Sequence, residues 1–347
     1  MTLSGRLTID LDAIAGNWRA LDAISGQGVE TAAAIKADAY GCGADRVGPA
    51  LARAGARSFF VALPAEGAAL RHVLGPGPAI YVLAGFSPAD GPVFASASLV
   101  PVLNAPEQVA DWAAGPAGPA VIQIDTGMNR LGLEAEELSA ITPLPGWVTM
   151  VMSHLACSDT PENPMNAAQQ AEFLRRTAHL AGPRSLAATG GILLGRDYHY
   201  DTVRPGIGLF GGLPFAAARP VVTLEIPILQ IRKVTPGEAV GYGGVWRAQR
   251  PSRIATLSAG YADGLIRLLG TGAATAFVAG SPAPFAGRVS MDLITLDVTD
   301  CPEAVPGAMA ELLGPSQGID RLARSANTIG YEILTSLGAR YSRRYTG

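Results

Sequence analysis

Five polar residues stand at or just past the ends of short apolar runs: Lys36 in AAAIKADAYG, Arg130 in IDTGMNRLG, His154 in VMSHLA, Thr189 in LAATGG and Arg204 in TVRPGIG. A lysine that follows a buried strand needs a partner or a chemical task, because an ammonium out of water is costly. A Schiff base with an aldehyde cofactor is such a task, and desolvation gives the amine the lowered pKa it needs. Each residue also has an ordinary explanation. A lone lysine is usually a solvated surface group, and a lone histidine is more often a hydrogen-bonded core residue. Either arginine is as readily half of a structural ion pair. Spacing alone leaves both explanations open.

The elements that would position these residues alternate along the chain. Apolar runs over 31–35, 58–63, 79–83, 100–103, 121–124, 148–153 and 185–188 read as strands, with an eighth around 202–204. Helical spacing falls between several of them. It is clearest over 166–180, where Ala167, Ala171, Leu174 and Ala178 share a face, and weakest in the third and fourth units. An opening strand precedes a helix carrying Ile14, Trp18 and Leu21 on one face, with Asp10 or Asp12 as its cap. Alternating βα units predict an α/β fold with a parallel sheet. About eight units in roughly 200 residues fit a closed (β/α)8 barrel of the TIM type better than an open sheet. Active sites of such barrels gather at the C-terminal ends of the strands. Lys36 would follow the first strand, Arg130 the fifth, His154 the sixth, Thr189 the seventh and Arg204 the eighth, so the five would converge on one mouth.

After Pro220 the rhythm changes. Residues 221–231, 253–258, 275–278 and 293–298 read as strands joined by Gly/Pro turns, and only 319–326 looks helical. The division expected is a barrel over 1–220 and a mostly β domain over 221–347, with the opening strand a candidate to pair with the second domain. A chain of 347 residues has room for two such cores. With 48% hydrophobic and 16% charged residues it reads as a compact globular protein, not a disordered one. A net charge of −3 gives no reason to expect a nucleic-acid partner. No run approaches the ~20 apolar residues of a membrane span, and residues 1–12 lack the charged and apolar regions of a secretory signal. Cys42, Cys157 and Cys301 have neither metal-ligand spacing nor the look of a disulfide framework. A cytoplasmic location without a metal is expected.

One motif is a decoy. Gly206, Gly208 and Gly211 match GxGxxG, and Glu225 follows at nearly the right distance for a dinucleotide fold. That fold needs a helix to open after the last glycine, and Leu213-Pro214 follows instead. There is no GxxxxGK[ST], HExxH or GxSxG segment either.

At AAAIKADAYGCGA the sequence resembles the alanine racemase family, and the resemblance runs through nearly the whole chain in the family's order. IDTGMNRLG, MSHLACSD, VRPGIGLFG, AVGYGG, LSAGYADGLIR, AGRVSMD and NTIGYEILTSLGARYSRRY all take part, the lysine segment, GYADG and GRVSMD being the most specific. The resemblance implies a barrel followed by a β domain, pyridoxal 5′-phosphate on Lys36, and a head-to-tail homodimer. It also implies roles. Tyr40, Thr189, Gly206, Ile207 and Tyr331 would bind the phosphate. Arg204 would face the pyridine nitrogen, with His154 beside the cofactor ring. Tyr242 would be a second base, supplied by the other subunit. Arg130 and the N–H of Met291 would hold the substrate carboxylate, and Tyr261 would line the entry passage. In the family the lysine works on the D-enantiomer and the tyrosine on the L-enantiomer.

Three positions depart from the family. A lysine that is often carbamylated, two residues before the IDTG aspartate, is Gln123 here. The expected substitute for its charge beside Arg130 is a small anion or a side chain such as Asn129. The usual Asn-Ser phosphate segment is Ala188-Thr189, and the cysteine that commonly precedes Met-Asp is Ser290. Racemisation removes a proton from one face of Cα and returns one to the other, and two bases on opposite faces, Lys36 and Tyr242, would satisfy that geometry. A tyrosine with a pKa near about 10 is a weak base at neutrality. A cationic neighbourhood would stabilise its phenolate, with His154 and Arg204 the candidates. Arg204 would also disfavour a proton on the pyridine nitrogen. The competing readings are a related racemase of broader specificity, serine included, a decarboxylase of the same architecture, and a non-catalytic carrier of pyridoxal phosphate. A barrel alone would suffice for the carrier. Supply of D-alanine for cell wall and breakdown of L-alanine are equally compatible roles.

Overall fold

The computed structural model describes residues 3–271 and 274–347. The chain divides into two compact units. One holds the residues up to Ala13 together with Phe210–Gly212 and Arg219–Gly347, and the other holds Ile14–Leu209 and Leu213–Ala218. The first strand, β1 (Arg6–Asp10), runs into a helix over Leu11–Ser25. Asp10 Oδ1 accepts from the Ala13 N–H at 2.8 Å, so Asp10 and not Asp12 is the cap. Ile14, Trp18 and Leu21 are buried, as their shared face requires.

The unit of Ile14–Leu209 is built on short parallel strands: β2 (Glu30–Thr31), β3 (Ala33–Ala34), β4 (Ser58–Val61), β5 (Ala79–Val82), β6 (Val100–Leu103), β7 (Ala120–Gln123), β8 (Val148–Met152), β9 (Arg184–Ser185) and β10 (Thr202–Val203). Strands β3 to β9 pair in chain order as one seven-stranded sheet, and β2 pairs with β10. Parallel neighbours need a crossover between them, and helical segments supply it. The sheet is curled. One core cluster brings together Ala32 and Ala34 of the first strand segment, Phe60 of β4, Val102 of β6, Val121 of β7, and Met150 and Met152 of β8. Side chains from strands this far apart in the order share one interior only if the sheet bends toward closure.

One helix faces the sheet differently from its sequence pattern. The helix Pro164–Thr177 buries Asn166, Gln169, Phe173 and Thr177, while Ala167, Ala171, Leu174 and Ala178 are exposed. The inner face is chosen by hydrogen bonding. Asn166 Nδ2 donates to the carbonyls of Cys157 and Thr160, and Gln169 bonds the loop after β8. A strand-end loop full of backbone polar groups needs amides opposite it more than it needs alanines.

The other unit is mostly antiparallel β: β11 (Val222–Val234), β12 (Ala239–Val240), β13 (Trp246–Arg247), β14 (Ser252–Leu257), β15 (Thr275–Val278), β16 (Ser281–Pro284), β17 (Ile294–Asp297), β18 (Met309–Leu313) and β19 (Ser342–Thr346). The order is β16-β15-β18-β11-β1-β19, with β14 bridging β11 to β17. β1 pairs antiparallel with β11 and parallel with β19. Leu7 and Ile9 are fully buried on one face of β1. The helix expected over 319–326 is present as Ile319–Ser325, and a second one, Gly330–Thr335, was not legible. Six residues are too few to display a period. β16, with two prolines, pairs with β15 alone and ends the sheet's strand order. Among the described residues no helix is long and apolar enough to cross a membrane.

Candidate active site

Lys36 opens an unusual turn. Ala37, Asp38, Ala39 and Tyr40 all have φ of 53–54°, so the chain makes a left-handed helical turn from four residues that are not glycine. Each such residue costs about 1–2 kcal/mol, so the turn must be held from outside. Glu66 and Asp38 hold it. Glu66 Oε1 accepts from the Ala37 N–H at 2.7 Å, while its other oxygen accepts from Ala62 and Leu63. Asp38 Oδ1 accepts from Ala44 at 2.7 Å. Burial lowers the pKa of the Lys36 ammonium, Arg130 pushes the same way, and the Glu66 carboxylate opposes them.

His154 and Arg204 stand in the same neighbourhood. Burial pushes the imidazole down to about 3, reinforced by Arg204, Arg130 and Lys36. His154 is therefore neutral near pH 7 and is not a cationic neighbour for a phenolate, which corrects that part of the sequence reading. The consequence for stability has a definite sign. In the unfolded chain the imidazole binds a proton below its ordinary 6.5, and in the folded chain only near 3. Stability is thus full above the upper value and is lost as pH falls through this window. His154→Gln is expected to flatten the acid limb of the urea midpoint plotted against pH. An unchanged acid slope would contradict a histidine held neutral by its surroundings.

Arg204 is 4% exposed. Its Nη2 donates to the Ser153 carbonyl at 2.7 Å, and Nη1 donates to Ser185 Oγ. Burial pulls the guanidinium down to about 10, so it stays charged at neutrality, and among the described residues its acceptors are the neutral oxygens of Ser153, Ser185 and Leu186. The Phe60 ring lies 5.8 Å from its Cζ. Arg130 is exposed at the end of the IDTG turn, which Asp125 fastens by accepting from Gly127, Met128 and Asn129. Gln123 donates through its amide to the Leu131 carbonyl at 3.1 Å. Among the described residues no side chain pairs with Arg130, so Asn129 does not take the place of the missing charge.

Thr189, Gly206, Ile207 and Tyr40 form a second group in the same unit. Thr189 Oγ1 accepts from the N–H groups of Gly206 and Gly208 at 3.1 and 3.2 Å. A Cβ at Gly206 would fall 2.3 Å from Tyr40 Oη, so only glycine lets the tyrosine hydroxyl approach this backbone. Lys36, Arg130 and Arg204 all act on His154, and the Glu66 carboxylate opposes them at Lys36. A cluster of this sign fits a ligand that brings its own anionic groups together with a carbonyl for the amine.

The remaining candidates lie in the β-rich unit, and three loops bring several of them together. Tyr242 is on a turn over Tyr242–Gly244 that packs against Gly287 and Arg288, and it is 73% exposed. The Tyr261 N–H donates to the Ser290 carbonyl and the Ala262 N–H to the Met291 carbonyl, each at 3.0 Å. Met291 is 55% exposed, and Tyr261 is exposed as well. Arg340 clamps both loops, bonding Asp263 through Nε and Nη2 and Asp292 through Nη1. Tyr331 is on the helix Gly330–Thr335, whose end meets Gly264 so closely that a Cβ there would clash with the Ser336 carbonyl.

Sequence reasoning missed Glu66, Gln169 and Ser185. None sits in a recognisable motif, and each acts by hydrogen bonding to backbone or to Arg204, which leaves no periodic trace.

The N-terminal domain of alanine racemase matches residues 9–214 and the C-terminal domain of alanine racemase matches residues 221–345. An alanine racemase of Dinoroseobacter shibae is 57% identical over 344 residues, 98% of each chain. The crystal structure of alanine racemase from Bartonella henselae with covalently bound pyridoxal phosphate superposes with a TM-score of 0.94 at 38% identity, covering 99% of this chain and 100% of that one. That of the biosynthetic alanine racemase from Pseudomonas aeruginosa gives 0.93 at 35%, covering 100% of both. These matches define an enzyme of the isomerase class. The chain belongs to the alanine racemase family. Matches to both domains set the carrier reading aside, since a carrier needs no second domain.

Proposed function

We propose that the chain interconverts L- and D-alanine with pyridoxal 5′-phosphate held on Lys36, in the mouth of a closed (β/α)8 barrel within a domain over 1–220 whose opening strand pairs with the second domain. Closure is supported by backbone bonds on both sides of the last strand. The N–H groups of Glu30, Ala32 and Ala34 donate to Asp201, Val203 and Pro205, and those of Asp201 and Arg204 donate to Arg184 and Ala187. The observation that carries the functional reading is that Lys36 is one of only two lysines in the sequence and lies with Arg130 and Arg204 around His154. The other, Lys233, is on β11. When bound, the cofactor supplies an electron sink that acidifies the Cα proton.

The residues of the chain do the rest. Thr189, Gly206, Ile207, Tyr40 and Tyr331 hold the phosphate. Arg204 presents only donors, so it would bond the pyridine nitrogen without protonating it. Neutral His154 would lie beside the ring. Arg130 and the Met291 N–H, which makes no hydrogen bond among the described residues, orient the substrate carboxylate. Lys36, with its pKa lowered, moves the proton on one face of Cα. Tyr242 moves it on the other, and Tyr261 lines the way in. Tyr242 and Met291 belong to the 221–347 domain and are exposed there, which supports a head-to-tail homodimer in which this domain completes the partner's pocket. The location proposed is cytoplasmic.

Reduction of the cofactor-loaded protein with borohydride tests the assignment. The cofactor should be fixed covalently to the peptide containing Lys36. Label on Lys233 or on the chain's amino terminus would overturn it.

A further inference from the structure

One buried polar side chain beside the pocket has no task in this scheme. Gln169 is 1% exposed on the inner face of the helix Pro164–Thr177. A buried amide is costly unless its groups are satisfied, and an apolar residue would fill the same space without that demand. Gln169 is satisfied at both ends. Its Oε1 accepts from the Ala156 N–H at 2.8 Å. Its Nε2 donates to the His154 carbonyl at 3.0 Å and reaches the Thr126 hydroxyl at 3.5 Å.

The two loops it touches are those that carry candidate site residues. One is the main chain of His154 itself. The other is the IDTG turn, where Thr126 Oγ1 is also 2.9 Å from Ser153 Oγ. The stem of Gln169 packs on that turn as well, since a Cβ at Gly127 would lie 3.8 Å from Gln169 Cγ. Asp125 and Gly127 begin the turn that delivers Arg130, and the Ser153 carbonyl is an acceptor for Arg204. Arg130 has no side-chain partner of its own among the described residues, so the path of its turn is what aims it.

We propose that Gln169 is a positioning residue that ties the His154 loop to the Arg130 turn and so sets Arg130 to receive the substrate carboxylate. The proposal rests on the reading of Arg130 as the carboxylate ligand. Gln169 touches neither substrate nor cofactor, and it acts on substrate binding more than on proton transfer. The alternative is that its bonds merely stabilise the fold.

Gln169→Met keeps the length of the side chain and removes its hydrogen bonds. The expected result is a KM for L-alanine raised by up to about tenfold, with kcat nearly unchanged. Affinity for propionate, a carboxylate without an amine, is read by thermal-shift titration of the loaded protein and should weaken by the same factor. Gln169→Glu keeps the acceptor for Ala156 but sets a second oxygen against the His154 carbonyl, so it should not restore affinity. If Gln169→Met fails to fold, Thr126→Val cuts the link to the turn and leaves Gln169 on its loop. It should give the same paired shift. A lower thermal midpoint with unchanged KM and propionate affinity would overturn the proposal. Arg130→Ala separates the two ideas. If it leaves propionate affinity intact, the carboxylate reading has failed. If it weakens propionate and neither Gln169→Met nor Thr126→Val does, only the role of Gln169 has failed.

Discussion

Tyr242→Phe is expected to slow alanine racemisation by a factor on the order of 10²–10⁴, the usual worth of one positioned proton carrier. The variant should still exchange the Cα hydrogen of D-alanine with deuterated water, with configuration retained. Lys36 remains in place to remove that proton and return another to the same face. Burial and Arg130 both lower its pKa, which favours the free amine that can act as a base. Exchange from L-alanine should be much slower, because its proton points to the face that has lost its carrier. Proton NMR of each enantiomer in deuterated buffer reads both rates. Equal loss from the two enantiomers in a folded, cofactor-loaded variant would contradict two separate bases.

A second large effect comes from mixing two damaged chains. Lys36→Ala should abolish activity, and Tyr242→Phe should nearly do so. In a head-to-tail dimer one site takes its lysine from one chain and its tyrosine from the other. A mixed dimer therefore holds one complete site and one with both lesions. Random reassortment makes about half of the dimers mixed, so an equimolar mixture should recover about a quarter of wild-type activity. The exposure of Tyr242 and Met291 on one domain motivates the experiment. No recovery after demonstrated subunit exchange would show that both bases come from one chain.

The sequence displayed the site more fully than it displayed the supports of the site. Lys36, Arg130, His154, Thr189 and Arg204 were legible because each follows an apolar run short enough to be a strand. Strand ends are also where their unit gathers polar groups. The left-handed turn after Lys36 was not legible. Ala37-Asp38-Ala39-Tyr40 has no glycine to announce it, and the conformation is imposed by Glu66, 29 or so positions away in sequence. The helix Pro164–Thr177 was legible as a helix but was turned the wrong way. Periodicity in apolar residues picks out an alanine face, whereas the sheet-facing side is chosen by what Asn166 and Gln169 can bond. β1 illustrates a third limit. Its alternating Leu7 and Ile9 mark a strand, yet nothing local says that its neighbours are β11 and β19, from the far end of the chain. Charge states lie beyond the sequence for the same reason. His154 is neutral because of what surrounds it, not because of its own segment.

The central claim is that the chain inverts the configuration of alanine with Lys36 as the residue that holds its cofactor. The most direct measurement is the optical rotation of L-alanine incubated with purified, cofactor-loaded protein, run beside L-serine and other L-amino acids and beside Lys36→Ala. The account predicts that rotation decays to zero for alanine as the two enantiomers equalise. Alanine should be the fastest of the panel, and the rotation should stay constant with Lys36→Ala. A rotation that persists with alanine, or a faster decay with another amino acid, would contradict it.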